Sequence, residues 1–108
     1  MSRLLTEELK NVLPRLRGQE GASDPVVYAA FYFPGTDWIW FATEGELVGS
    51  DFTFFGYVIG FEREWGNFSL RELEEVNVHG LSIERDRYFE PGKLSACLSD
   101  LGITPIKV

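Results

Sequence analysis

The middle of this chain lacks positive charge. Between Gly18 and Glu62 there is no Lys, Arg or His, although the segment holds seven carboxylates and twelve of the sixteen aromatic residues. The seven are Glu20, Asp24, Asp37, Glu44, Glu46, Asp51 and Glu62. Outside the segment ten acidic residues are balanced by ten basic ones, so it accounts for the whole net charge of −7. Because nucleic-acid binders need Lys and Arg against phosphates, the sequence disfavours direct nucleic-acid binding and favours a protein partner with a basic surface.

Cysteine and histidine are nearly absent, with one of each. A single thiol forms no intrachain disulfide and no thiolate zinc site. His79 lies in a polar loop without a nucleophile motif such as GxSxG, so we predict a solvent-exposed side chain rather than a catalytic one. Cys97 shares a helical stripe with Leu94 and Leu98, which predicts a buried, inert thiol.

Long apolar runs and phosphate-binding loops are also missing. No window approaches the roughly 20 apolar residues that span a bilayer, and the charged N-terminus has no signal-peptide core. The glycines match neither the P-loop nor the dinucleotide fingerprint. We therefore expect a cytoplasmic protein with no membrane partner, no metal and no cofactor.

The length and composition predict one globular domain over residues 1–108. The chain is 44% hydrophobic and 15% aromatic, which is enough apolar mass for a core in a protein of 108 residues. More than half of the twelve middle aromatics should be mostly buried. The pattern carries no signal of the oligomeric state.

Three apolar segments in the middle of the chain predict an antiparallel meander. They are Val26–Phe33, Trp38–Glu44 and Asp51–Glu62, joined by turns at Pro34–Asp37 and Gly45–Ser50. A first helix capped by Thr6 and ended near Pro14 precedes them, and 18–25 reads as a polar loop.

The second half predicts two more helices and one more strand. A turn is expected around Trp65–Asn67, and Ser69 with Glu72 forms a capping box. A strand follows over 82–90, then a helix with Leu94, Cys97, Leu98 and Leu101 on one face and Gly102 at its end. The predicted fold is α+β, an antiparallel β meander of four or five strands flanked by short helices.

Both faces of the predicted strands are apolar. The second face must be covered by helices or exposed as an aromatic surface. Gly56 and Gly60 share one face of the third strand, where they leave a groove for a helix or a partner.

Carboxylates are the only candidate chemical groups. Glu44 with Glu46, and Glu62 with Glu64, share a strand face if the strand continues through them, and such pairs could bind a divalent cation or act as acid and base in hydrolysis. Convergence of three or more of these and Asp51 in one pocket would favour an enzyme, whereas dispersed carboxylates would favour a binding module. The candidate partner-binding residues are Asp37, Trp38, Trp40, Glu44, Glu46, Asp51 and Glu62.

Several stretches together resemble a known family. They are LLTEELKNVLPRL, WIWFATEG, DFTFFGYVIGFEREWGNFSLRELEEV and IERDRYFEP. Over about residues 4–92 the chain resembles small bacterial proteins classed as a domain of unknown function, often encoded on plasmids, phages and integrative elements. The resemblance implies that genetic context but supplies no catalytic or ligand residues.

Three functions fit these observations. The first is a non-enzymatic interaction module, in its sharpest form a mobile-element counter-defence inhibitor that occupies a basic nucleic-acid site on a CRISPR or restriction complex. The second is a carboxylate- or metal-dependent hydrolase. The third is an accessory protein of plasmid conjugation or replication, which differs from the first only in its partner.

Overall fold

The computed structural model describes residues 2–102, which contain three short helices and nine strands. The helices are α1 (Glu7–Val12), α2 (Leu70–Glu75) and α3 (Leu94–Asp100). The strands are β1 (Val26–Val27), β2 (Ala29–Tyr32), β3 (Ile39–Val48), β4 (Asp51–Ile59), β5 (Arg63–Ser69), β6 (Asn77–Val78), β7 (Leu81–Ser82), β8 (Glu84–Arg85) and β9 (Gly92–Lys93).

One antiparallel sheet of five strands forms the centre of the protein, in the order β5-β4-β3-β2-β8. Two small antiparallel pairs, β1–β9 and β6–β7, lie beside it. The predicted α+β fold with an antiparallel meander is therefore confirmed.

Local signals at the element ends are confirmed as well. Thr6 caps α1 by accepting from Leu9 N, and the Ser69–Glu72 capping box is complete. In the β2–β3 turn the hydroxyl of Thr36 donates to the Phe33 carbonyl at 2.8 Å. These bonds use neighbours in sequence, which is why the pattern predicts them.

One predicted turn is shorter than expected, and a second is wrong. The segment from Gly45 continues as strand to Val48, and the chain reverses only at Gly49, whose φ is +63°. Gly45 is needed for packing, because a Cβ there would lie 2.6 Å from Cε1 of Phe52. Trp65–Asn67 is likewise not a turn but the middle of β5, and the turn falls earlier, where Gly60 N donates to the Glu62 carbonyl at 2.9 Å.

Two predicted strands are shorter than expected. The segment 26–33 is divided at Tyr28, since β1 pairs with β9 whereas β2 pairs with β3 and β8. The segment 82–90 contains only β8 and the last residue of β7. Likewise β4 ends at Ile59, so Glu62 lies in a turn and shares no strand face with Glu64.

Hydrophobic cores cover both faces of the sheet. The α1–α2 core contains Leu4, Leu5, Leu9, Leu13, Ala29, Phe31, Ala42, Phe52, Phe54, Phe68, Leu73 and Ile83. The α3 core contains Val27, Ala30, Phe41, Tyr57, Ile59, Leu94, Cys97 and Leu98. Alternate residues of one strand enter different cores, as side chains on a pleated strand must. Ten of the twelve middle aromatics are buried or partly buried, as predicted.

The expected groove over the third strand is closed. At Gly60 the ring of Trp38 occupies the space that a Cβ would need, and at Gly56 the backbone of β3 at Phe41 does so. Neither glycine therefore leaves space into which a helix or a partner could pack.

Helix α3 takes its cap from a distant loop. Its N-cap residue, Lys93, makes no side-chain hydrogen bond to the helix. Instead the Asp24 carboxylate accepts from Ser95 N at 2.9 Å and from Ser95 Oγ at 2.5 Å. These two bonds from Ser95 hold the pKa of the Asp24 carboxyl below its ordinary value.

Asp24→Asn should weaken the protein at neutral pH and flatten its response to acid. A carboxyl with a lowered folded-state pKa stabilises the fold above its unfolded pKa of about 3.9, and this contribution is lost as pH falls through the folded value. Urea unfolding of both proteins at pH 7 and pH 3 measures the effect, with Asp37→Asn in an exposed turn as the control. An equal difference between wild type and Asp24→Asn at both pH values would contradict this linkage.

Candidate functional site

The seven candidate residues do not form one site. The β2–β3 and β4–β5 turns are neighbours at one end of the sheet, because Ile59 pairs with Ile39 on one side and Arg63 on the other. The β3–β4 turn lies at the opposite end. Four candidates lie in or beside the first pair of turns, namely Asp37, Trp38, Trp40 and Glu62, and the other three are Glu44, Glu46 and Asp51.

Three aromatic rings pack against one another at the end of the sheet that holds the β2–β3 and β4–β5 turns. The ring centroids of Trp38 and Trp40 lie 5.6 Å apart, and those of Trp38 and Phe61 lie 5.2 Å apart in an edge-to-face arrangement. Phe61 is 95% exposed. An apolar ring that is held by Trp38 on one side and faces water on the other is typical of a contact surface.

Carboxylates flank these three rings. Asp37 and Glu62 are exposed in the two turns. Glu64 pairs with Val58, which pairs with Trp40, so Glu64 and Trp40 project from the same face of the sheet. Arg63 projects from the other face, since it pairs with Ile59 of the α3 core. We call Asp37, Trp38, Trp40, Phe61, Glu62 and Glu64 the aromatic end.

Sequence reasoning did not single out Phe61 as a site residue. It counted Phe61 only as part of an apolar strand through Glu62, and that strand ends at Ile59. The signal that could have found it is the glycine just before it, because the absence of a side chain at Gly60 makes room for the Trp38 ring that packs against Phe61.

Glu44 has a structural role. It is only 4% exposed, and its carboxylate accepts from Arg17 N at 2.6 Å and from Gln19 N at 2.9 Å. Arg17 has a φ of +71°, which a non-glycine residue adopts at a cost. The buried carboxylate therefore fixes the start of the 18–25 loop, and it is reached from solvent only through the cavity beside that loop.

Glu46 and Asp51 also accept backbone hydrogen bonds. Glu46 accepts from Leu16 N at 2.7 Å, so Glu44 and Glu46 together hold the backbone over residues 16–19. Asp51 accepts from Phe52 N at 2.8 Å and from Arg71 N at 3.2 Å, at the start of α2. The three carboxylates that lie away from the aromatic end therefore stabilise local structure through hydrogen bonds to the backbone.

A cavity of about 300 Å³ lies between the 18–25 loop and β4–β5. Phe55 and Trp65 form one wall, with their rings 5.9 Å apart and nearly parallel at 9°. An exposed ion pair between Arg17 and Glu20, 2.9 Å apart, lies at its edge.

The carboxylates named for a hydrolase lie in three places: at the 18–25 loop, at the start of α2 and at the aromatic end. Within residues 2–102, no three His, Cys, Asp or Glu side chains are arranged to hold a metal ion. His79 is exposed in the β6–β7 turn, as predicted. None of the helices in the same range is long and apolar enough to cross a bilayer.

Cys97 is buried on the sheet side of α3, as predicted, with its Sγ 3.9 Å from the Gly92 carbonyl. Burial raises the pKa of the Cys97 thiol, and the charges of Asp100 and Asp24 raise it further. We expect iodoacetamide at pH 8 to label the native protein at least about tenfold more slowly than the urea-unfolded protein. The variant A96C/C97A, which moves the thiol to the exposed neighbouring position, should label rapidly in both states. Equal native rates for the two proteins would contradict the burial.

The geometry defines a small α+β protein whose antiparallel sheet is covered by short helices and whose turns carry an acidic, aromatic end. Residues 4–101 match a family described as a protein of unknown function (DUF2958), and the chain belongs to this family. The match extends the resemblance past residue 92 to include α3. No curated protein and no solved structure matches the chain.

Proposed function

We propose that this protein is a non-enzymatic interaction module whose aromatic end binds a basic surface of another protein. The observation that carries the proposal is the 95% exposure of Phe61 next to Trp38, between the exposed carboxylates of Asp37 and Glu62. Buried aromatic anchors supply most of the energy of protein interfaces, whereas charges at the rim steer association. The aromatic end offers both kinds of group.

Charge supports a cationic partner. Asp37 and Glu62 belong to the segment that contains no Lys, Arg or His. Carboxylates at a rim accelerate the encounter with a basic surface and make it sensitive to salt, because they remain in water until the partner arrives.

We further propose that the partner's surface is one that otherwise takes nucleic acid. Flat rings beside negative charges offer such a surface the same two features that a single strand offers, bases and phosphates. A CRISPR or restriction complex has such a surface, which would make this protein a counter-defence inhibitor. An accessory role in conjugation or replication would use the same aromatic end with a different basic partner.

The hydrolase alternative receives no comparable support. Glu44, Glu46 and Asp51 accept backbone hydrogen bonds, and Glu62 with Glu64 lies at the other end of the sheet. The five carboxylates thus lack a shared pocket in which they could act together on one substrate.

The test is a titration against a partner purified with the tagged protein from its native host and identified by mass spectrometry. The triple variant D37N/E62Q/E64Q should slow association about tenfold at low salt, and the single variant F61A should accelerate dissociation about tenfold. Raising the ionic strength from about 0.05 M to about 0.15 M should weaken the wild type more than the triple variant.

The matched control is E8Q/E74Q/E75Q, which removes three exposed carboxylates from α1 and α2 and changes the net charge equally. It should leave association within about twofold of wild type if position matters. If the control and the triple variant slow association equally, the association rate depends on net charge and not on the position of the carboxylates. Binding indifferent to F61A, to the triple variant and to salt would eliminate the aromatic end as the interface.

A further inference from the structure

A second and larger cavity lies on the α3 side of the sheet. It measures about 630 Å³ and opens between β2–β3, α3 and the 86–91 segment. Ala30, Ile39, Phe41 and Cys97 form its apolar floor. We call it the α3 groove. Its volume lies within the range of roughly 300–1,000 Å³ that is usual for small-ligand sites.

Negative charge surrounds this apolar floor. Asp86, Glu90 and Asp100 line the groove, and none of the described residues that line it is Lys, Arg or His. Asp100 lies close enough to Cys97 for its charge to act on the thiol at the floor. A positive group entering here would meet three carboxylates beside an apolar surface, and its attraction to the exposed Glu90 and Asp100 should weaken as salt rises.

Aromatic rings stand at the mouth of the α3 groove. Tyr88 is 87% exposed and Tyr32 is 40% exposed, and both line the opening. The face of a tyrosine ring attracts cations as well as apolar groups. The opening therefore suits a ligand that has both a cationic and an apolar part, as do the carboxylates and the apolar floor.

The 86–91 segment, which carries Asp86 and Glu90, is hydrogen-bonded to the sheet. Asp86 N donates to the Ala30 carbonyl at 2.9 Å, and Asp86 Oδ1 accepts from Tyr88 N at 3.0 Å. The ring of Phe89 lies 6.3 Å from that of Phe41 across the floor. The groove is thus preformed, and a ligand need not order this segment before binding.

We propose that the α3 groove binds an amphipathic cation, a ligand in which a protonated amine or guanidinium adjoins an apolar or aromatic group. The apolar part lies on Ile39 and Phe41, and the cationic part lies among Asp86, Glu90 and Asp100. Both a free organic amine and an Arg or Lys side chain next to an apolar residue have this chemistry. The site projects from the face of the sheet opposite Trp40, so it does not depend on the aromatic end.

The test uses four defined probes and backbone amide NMR of the whole chain. Tryptamine and the dipeptide Ac-Arg-Trp-NH2 carry the cation, whereas indole-3-ethanol and Ac-Gln-Trp-NH2 are their neutral counterparts. We expect at least one cationic probe to shift the amides of Phe89, Ala96 and Cys97 with a millimolar or lower Kd. Its neutral counterpart should bind at least about tenfold more weakly. The tighter cation identifies the source, a free amine or a protein side chain.

Two variants separate the charge from the cavity. E90Q/D100N should weaken the cationic probe about tenfold and leave the neutral probe within about twofold, whereas E74Q/E75Q, with the same change of net charge, should alter neither. Ala96 is exposed on α3 and lines the groove, so Ala96→Phe should block every probe without opening the core. The proposal is overturned if no probe shifts these amides at 10 mM or if neutral and cationic probes bind alike. Neither result would affect the test of the aromatic end, which uses other residues and another partner.

Discussion

Gly56→Ala should lower the free energy of unfolding by about 3 kcal/mol or more, enough to leave much of a small domain unfolded. A Cβ at Gly56 would overlap the carbonyl oxygen of Phe41, and it would lie 2.8 Å from the carbonyl carbon of Phe41 and 3.1 Å from Cα of Ala42. All three are backbone atoms of β3, next to the register shift between Ala42 and Glu44. A flexible side chain could move aside, but this backbone can move only by breaking its pairing with β4.

The matched control is Gly66→Ala. Gly66 is the register partner of Gly56 on β5, and a Cβ there meets no atom within 4 Å. We expect this variant to stay within about 0.5 kcal/mol of wild type in urea unfolding followed by circular dichroism. If both variants lose the same stability, the cause is a general loss of glycine from the sheet and not the contact with Phe41.

Glu44→Ala should lower the free energy of unfolding by about 2–4 kcal/mol. Removal of the buried carboxylate leaves the amides of Arg17 and Gln19 without their acceptor in a partly buried place, and a donor left unpaired by burial costs about 1–3 kcal/mol. Glu46→Ala removes the acceptor of Leu16 N alone and should cost less. Glu62→Ala in the exposed turn should stay within about 0.5 kcal/mol of wild type.

Hydrogen exchange distinguishes the mechanism. In Glu44→Ala the amides of Arg17 and Gln19 should exchange much faster, while those of β4 should change only with global stability. If the exchange rates of these two amides rise no more than those of β4, the carboxylate contributes through packing and not through the loop. The result also decides how the candidate carboxylates are tested, since a variant that unfolds the 18–25 loop says nothing about a partner.

The sequence predicts this fold wherever its signals are local. The Pro34–Asp37 turn, the Ser69–Glu72 box and the helix end at Gly102, whose φ is +75°, all depend on neighbours in the chain. The two errors in turn placement fall on glycines that serve distant packing. Gly45 reads as a turn residue but makes room for Phe52, and Gly66 pairs with Gly56 inside the sheet.

The candidate site residues fall into two groups because contacts between distant segments decide the surroundings of each carboxylate. Glu44 and Asp37 look alike in sequence, as carboxylates beside apolar strands. Only the fold shows that Glu44 meets backbone donors some 25 residues earlier in the chain, whereas Asp37 stays in water. The α3 groove was beyond sequence reasoning altogether, because Ile39, Asp86 and Asp100 become neighbours only through the packing of α3 on the sheet.

The segment from Val27 to Phe31 belongs to both hydrophobic cores. Ala29 and Phe31 pack in the α1–α2 core, whereas Val27 and Ala30 pack in the α3 core. Loosening of either layer therefore removes support from backbone that the other layer requires. Because these few residues connect the two layers, we expect both layers to unfold in one cooperative transition and not as two halves that melt separately.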